Sequence, residues 1–461
     1  MIEFHEKLGI IFMKLLSAYL LCLLGVSPLL AKTYTLQDAV KTALTNNQQQ
    51  NISEQERAIA TAKYHQALSV DYPTLDISLV ANRADEPLID EVSTTFSLPP
   101  LLGGATLPIN YIHTIMGRDT LTAKATAKYA LYTGGKISAL QEQAKAGVKY
   151  AEETLKLSAD TIILNVRKYY AAVVFAQRVQ KLMQDTVDRM QITYELTETF
   201  YKGGSMKVKK TDYLRAKMTL LNMKSILESM KNTTQLAKNA LVFEMGIGSD
   251  KTIEIDVNSL PQVVMKDSLE EYFNKLYLGN HQLKQLKIGM QVKEAKMKEA
   301  QSGYLPSVGL YANGRTLHNN EHGGLINSQN NDSWNIGIAV KYNLFSGGLT
   351  KAQLQEAKAQ KLKLQAQEAY AKSGLQTKAK SAFLKTKTAL KQIKIMQEAT
   401  QTAKENSDLN FRAYKEEMVE TKDVLESQFL CSLTEAAYYK TLYEARVNEA
   451  QLEYLIGTTL K

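Results

Sequence analysis

Lys128–Tyr129–Ala130–Leu131–Tyr132–Thr133–Gly134–Gly135 and Lys341–Tyr342–Asn343–Leu344–Phe345–Ser346–Gly347–Gly348 are two copies of one phrase, 342 − 129 = 213 residues apart. The same offset joins Tyr201–Lys202 to Tyr414–Lys415, since 414 − 201 = 213. Two distant landmarks holding one spacing mark an internal duplication. A looser correspondence links Leu36 to Leu269 and Tyr72–Pro73 to Tyr304–Leu305–Pro306, with 304 − 72 = 232. The first copy therefore carries 232 − 213 = 19 extra residues between Tyr72 and Tyr129.

Working outward, each copy reads in the same order. A helix with small and polar residues (36–67 and 269–302) ends at a Tyr and a Pro, because the residue before proline is pushed out of helical geometry. A strand follows at 74–83 and at 307–316. In the first of these, Leu75–Asp76–Ile77–Ser78–Leu79 alternates apolar and polar residues with period two. A turn-rich loop comes next, and then a second strand at 121–132 and 333–345. Gly-Gly opens a helical stretch (135–201 and 348–414) with no proline and no turn cluster. At 1.5 Å per residue such a helix runs roughly 100 Å, too long for a globular core, so these helices are expected to be rods. Shorter helices return over 211–243 and 421–456. The organisation expected is a signal peptide at 1–31 (with Met13 as a second possible start), a first repeat at 34–245, a connecting segment at 246–266 and a second repeat at 267–457.

Composition narrows the function classes. The 461 residues hold 56 basic and 47 acidic side chains, a formal charge of +9, mixed along the chain without a dense basic block interleaved with aromatics. That pattern reads as solvated helix surface rather than a nucleic-acid interface. Two cysteines build no disulfide framework, and Cys431, on a helical stretch, reads as a small core residue. Lys14, the apolar run 15–24 and Ala31 form a secretory pattern. Beyond it no apolar run reaches about 18 residues, so any membrane contact must be a barrel or peripheral.

Two strands of about ten residues per copy have the length of transmembrane β-strands. Four strands cannot close a barrel, and an open edge in lipid leaves backbone groups unpaired at several kcal/mol each. Three chains supply 3 × 4 = 12 strands and close it. Tyr111, Tyr129, Tyr132, Trp334, Tyr342 and Phe345 are the rings expected at the membrane interfaces.

The duplicated helix–strand–strand–helix plan, Pro73 and Pro306 at the strand entries, the aromatic-[Thr/Ser]-Gly-Gly exits and the Tyr-containing hairpins together resemble the TolC-like outer membrane efflux proteins over about residues 34 to 457. The resemblance implies an α+β membrane protein: a homotrimer with a 12-stranded β-barrel in the cell outer membrane, continued by a long α-helical coiled-coil barrel into the periplasm. It implies no enzyme activity and no cofactor. It implies a passive duct for drugs or other solutes, working with a periplasmic adaptor and an inner membrane pump. Two other readings stay open: an exit duct for type I protein secretion, and a soluble periplasmic coiled-coil scaffold.

The tip turns, Gly203, Gly204, Ser205, Met206 and Glu416, Glu417, Met418, Val419, are where the resemblance places adaptor docking. Asp423 and Glu426, three apart, share one helix face. By resemblance they line the periplasmic constriction as two acidic rings favouring cations. The competing reading is an ordinary surface pair neutralised by Lys422. Asp212 and Tyr414 match the family's tip-closure link, although its arginine position falls on Val419, and Asp212 has Arg215 as an alternative partner. His318–Asn319–Asn320–Glu321–His322 spells a zinc-peptidase pattern, but it sits among loop residues, and no metal site is expected there.

Overall fold

The computed structural model describes residues 33–248, 250–265, 267–319 and 332–457. The segment 1–31 and residues 320–322 of the histidine pattern lie outside the described residues; His318 belongs to a strand. The chain divides into two compact units. One comprises Met1–Asn51, Ser158–Asn280 and Leu375–Lys461, the other Ile52–Leu157 and His281–Gly374.

The second unit carries the sheet. Strands β2 (Thr74–Arg83), β5 (Asp119–Tyr132), β7 (Ser307–Asn319) and β8 (Asp332–Lys341) form one antiparallel sheet in the order β2-β5-β7-β8. The central β5·β7 pair joins the two copies of the repeat. The register aligns Leu75, Ala127, Ala312 and Ile336 in one row and Ile77, Ala125, Gly314 and Trp334 in the next. These rows, with Leu79, Leu310, Ile338 and Val340, make one face apolar. Apart from the half-buried Leu310, these large side chains are exposed in the single chain, Trp334 to 82%. The opposite face carries Asp76, Thr126, Asn313 and Asn335 in one row and Ser78, Lys124, Arg315 and Ser333 in another. Hydrogen bonds run along the first of these, Thr126 Oγ1 to Asn313 Oδ1 at 3.0 Å and Asn313 Nδ2 to Asn335 Oδ1 at 2.8 Å. Gly337 makes room for Tyr311, whose hydroxyl would stand 2.7 Å from an added Cβ.

The structure corrects two expectations. The first-copy loop is not irregular: β3 (Leu88–Ser97) and β4 (Thr106–Met116) form an antiparallel hairpin of their own. The alternation Leu107, Ile109, Tyr111 carried that signal, with Val92 and Phe96 a weaker trace of it in the first strand, and Pro87, Pro99, Pro100 and Pro108 masked both. Tyr111 consequently belongs to the hairpin and not to the four-stranded sheet, while Tyr342 and Phe345 follow the end of β8.

Helices α2 (Gln48–Leu68) and α6 (His281–Ser302) lead into β2 and β7. Two long helices, α3 (Lys136–Lys202) and α7 (Leu349–Lys415), follow β5 and β8. They are returned by α4 (Lys210–Met245) and α8 (Thr421–Ile456). Gly134, at φ +63, turns β5 into α3. A Cβ there would stand 2.7 Å from Leu305 Cβ, so the turn needs glycine for both backbone and space.

In the first unit, the expected helix over 36–67 is broken at Asn47, leaving α1 (Leu36–Asn46) ahead of α2. The helix over 269–302 is broken at Asn280, leaving α5 (Leu269–Gly279) ahead of α6. The breaks correspond, since 280 − 47 = 233 = 269 − 36. Each asparagine leaves helical geometry and donates from its amide to the carbonyl end of a return helix, Asn47 to Glu244 O at 2.7 Å and Asn280 to Leu455 O at 2.9 Å. These amides satisfy carbonyls that a helix terminus leaves orphaned. Gly246 and Gly457, both left-handed, complete the ends, and a Cβ on either would stand 2.5 Å from a backbone oxygen of the facing helix.

The core of this unit gathers Ala39, Ala43, Ile162, Val166, Tyr170, Val173, Leu241 and Met245 around β1 (Thr33–Tyr34), which pairs parallel with β6 (Glu254–Ile255). Tyr170 is fully buried, with its hydroxyl 3.0 Å from Tyr34 O, 2.8 Å from Asp256 O and 2.6 Å from Ser259 Oγ. Further along α3, Val179, Leu182, Val187 and Met190 pack with Leu220, Met223 and Leu227 of α4. Cys431 is buried in α8, and burial pushes its thiol pKa up, away from nucleophilic chemistry.

Candidate functional site

The turns that close the two helical hairpins are built to one plan from different residues. After α3, Ser205 N donates to Phe200 O at 3.0 Å with Gly204 left-handed at φ +77. After α7, Met418 N donates to Ala413 O at 2.9 Å, and the corresponding left-handed residue is Glu417 at φ +54. The positions match, 417 − 204 = 213. A side chain in the left-handed region costs on the order of 1 kcal/mol, so Glu417 must be held by what surrounds it. Its carboxylate accepts from Ser205 Oγ at 2.7 Å, and Lys207 Nζ donates to its carbonyl at 2.9 Å. The predicted tip residues Ser205 and Glu417 are thus brought together, while Met206 stands almost fully exposed and Met418 is exposed to 77%.

Asp423 and Glu426 share the exposed face of α8, and Val424, Leu425, Ser427 and Gln428 are buried. Asp423 also caps its own helix. Glu420 N donates to its Oδ2 at 3.2 Å at the helix start, where a negative charge complements the helix dipole. Among the described residues no ion pair joins Lys422 to Glu426.

Asp212 and Tyr414 do not meet within the chain. Asp212 accepts from Lys209 N at 2.9 Å and lies 3.9 Å from Arg215, the alternative partner. Tyr414 is 1% exposed and its hydroxyl is committed elsewhere, to Thr197 Oγ1 at 2.8 Å and Thr421 Oγ1 at 2.9 Å, with its ring edge-on to Phe200. This clasp ties α3, α7 and the first residue of α8 together. Polar contacts continue between α3 and α8: Gln428 Nε2 donates to Thr193 Oγ1 at 2.9 Å, and the Thr186 and Ser432 hydroxyls lie 2.7 Å apart. The sequence alone does not reveal this seam, because buried threonines look like any helical threonine until a partner helix is placed beside them.

A second cluster sits beside the first turn. Tyr201 stacks on Tyr213 with centroids 5.6 Å apart, and the Tyr194 and Tyr213 hydroxyls are 3.2 Å apart. The hydrogen bond to Tyr213, then partial burial and the Glu198 charge, push the Tyr194 pKa up to about 12. The hydrogen bond from Lys202 holds the Glu198 carboxyl below its usual range. Tyr194 therefore stays neutral, and the three rings act as packing and hydrogen-bonding groups.

Among the described residues no helix is long and apolar enough to cross a membrane. The sheet is apolar on one face and hydrogen-bonded polar on the other, the two-sided pattern that barrel walls use. The outer membrane efflux protein family profile matches residues 39–246 and 273–458, and the chain belongs to that family, whose members are channels rather than enzymes. Solved structures share the fold at low identity. CusC, described for its folding and transmembrane channel formation, matches with a TM-score of 0.75 at 16% identity over 93% of each chain. The outer membrane protein VceC of Vibrio cholerae gives 0.72 at 18% over 92% of this chain and 96% of its own. The Neisseria gonorrhoeae MtrE outer membrane channel, in its open state, gives 0.74 at 17% over 93% and 90%. The TolC-like fold, a β-barrel domain continued by a helical barrel, is thereby established.

Proposed function

We propose that three copies of this chain form a passive outer membrane duct that carries drugs or other solutes from an inner membrane pump and periplasmic adaptor to the exterior. The observation that carries this is the sheet: apolar rows on one face, polar rows on the other, and outer edges at β2 and β8 with no partner in the chain among the described residues. Such edges are costly in lipid unless β8 of one copy pairs with β2 of the next. Three sheets then close a barrel with polar side chains inside. The helices extend into the periplasm, and the turns at 203–206 and 416–419, with Met206 and Met418 exposed, dock the adaptor.

In this reading Asp423 and Glu426 ring the periplasmic constriction, and the Tyr414 clasp holds the inner hairpin in the closed arrangement. Asp423→Asn with Glu426→Gln, chosen to keep a capping oxygen at 423, lowers cation preference in single-channel recording. An unchanged reversal potential rejects the two rings. Detergent-purified protein running as a monomer without heat-resistant trimers rejects the duct.

A further inference from the structure

The β3–β4 hairpin is amphipathic, and nothing in the described chain covers its apolar side. The register puts Val92 opposite Tyr111, Thr94 opposite Ile109 and Phe96 opposite Leu107, so the outer part of one face is uncharged and largely apolar, and Asp90 opposite His113 continues that face toward the base. Ser93 opposite Asn110 and Ser97 opposite Thr106 make the other face the more polar one, with Ile112 opposite Glu91 also on it. Every residue of β3 is exposed, and Leu101 at the tip is 99% exposed. A free two-stranded hairpin is marginal in water, and a one-sided apolar ribbon implies a cover.

Two observations select the cover. Residues 88–116 contain no lysine or arginine, and their charged side chains are Asp90 and Glu91. Elements that rest on lipid headgroups usually bring basic residues, and an acidic ribbon is repelled by anionic headgroups. The hairpin also grows out of β2, whose outer edge has no partner among the described residues, with Ala84 N still bonded to Arg118 O at 2.8 Å between sheet and hairpin. Its base therefore stands at the seam where the next copy must come.

We propose that the apolar faces of the β3–β4 hairpins from three copies pack on one another as a collar outside the barrel, narrowing the exit. This rests on the trimeric reading. The three rows Val92–Tyr111, Thr94–Ile109 and Phe96–Leu107 meet by symmetry and bury uncharged side chains, Asp90 opposite His113 stays at the rim of the same face toward the base, and Glu91 is left on the water side.

Single cysteines placed in a Cys22→Ser chain test the collar in membranes, against the background of buried Cys431. Val92→Cys and Ile109→Cys report the apolar face, and Ser93→Cys and Asn110→Cys the polar one. The expected result is maleimide labelling of the apolar pair slower by about ten-fold or more, as packed segments open rarely, and chain-to-chain products with a short bismaleimide from that pair alone. Unheated gels of the same samples report the trimer separately. Intact trimers with all four cysteines labelled alike overturn the collar and leave the duct standing. Quenching of a fluorophore at position 92 by spin-labelled lipid also overturns it, giving the face to the bilayer. Absence of trimers in the unsubstituted protein overturns both readings. Hydrogen exchange on unsubstituted trimers provides a check free of substitutions: amides 88–116 should be protected, and exchange at unprotected rates contradicts the collar.

Discussion

Tyr414→Phe isolates one hydroxyl in the clasp at the second hairpin. Phenylalanine fills the same volume, so the edge-on packing against Phe200 at 5.8 Å remains. Two hydrogen bonds are lost, to Thr197 and to Thr421. Thr197 keeps a partner, since its hydroxyl donates to Thr193 O at 2.7 Å, whereas Thr421 is 3% exposed and loses its hydroxyl partner. Each neutral hydrogen bond is worth about 1 kcal/mol net, and a stranded buried hydroxyl adds to that, giving about 2–3 kcal/mol per chain. A shift of about 2 kcal/mol changes a two-state ratio by roughly 30-fold, enough to populate a loosened tip. Planar-bilayer recording of the unengaged channel should show raised baseline conductance, and hydrogen exchange should quicken at 413–424. In a double-mutant cycle Tyr414→Phe should couple to Thr421→Val by about 1 kcal/mol and add independently to Asp212→Asn. Wild-type conductance together with wild-type exchange in Tyr414→Phe would show that the clasp does not hold the tip. Strong coupling to Asp212→Asn would restore the direct link expected by resemblance.

Three further outcomes follow from the geometry. Gly134→Ala should lower the temperature at which trimers dissociate on gels well below Gly347→Ala. Both glycines lie at φ +63, but a Cβ at 134 meets Leu305 at 2.7 Å while one at 347 meets nothing within 4 Å, so equal effects would discount the clash. Tyr170→Phe should cost about 2 kcal/mol or more and quicken exchange in 253–260, because the Tyr34 and Asp256 carbonyls and Ser259 lose their shared hydroxyl; unaltered exchange there would dismiss that role. Burial alone would raise the Glu153 pKa, but hydrogen bonds from Lys156 at 2.8 Å and His281 at 2.5 Å outweigh it and hold the carboxyl below its ordinary 4.5. Its stabilising contribution is therefore present above that value and lost as pH falls through the lowered one. Glu153→Gln should flatten the acid side of the melting-temperature profile, and parallel profiles would contradict the assignment.

Much of this protein can be read from its order of residues. Long proline-free runs dictate α3 and α7, because helix geometry is local and an interior proline would break it. The two Gly-Gly phrases place the strand-to-helix turns, because a left-handed residue followed by a helix leaves a local signature. Period-two alternation in 74–83 announces a two-faced strand, and the strand shortage argues for several copies. Other features depend on what lies across space. Asn47 and Asn280 look like ordinary helical asparagines until α4 and α8 end beside them with carbonyls to satisfy. Glu417 shows no sign of a left-handed conformation, because Ser205 and Lys207, which hold it, arrive from a turn about 210 residues away. Tyr414 was visible as a candidate, but its partners were not: a hydroxyl bonds whichever acceptor packing brings within about 3 Å, and only the docked helices put Thr197 and Thr421 there ahead of Asp212.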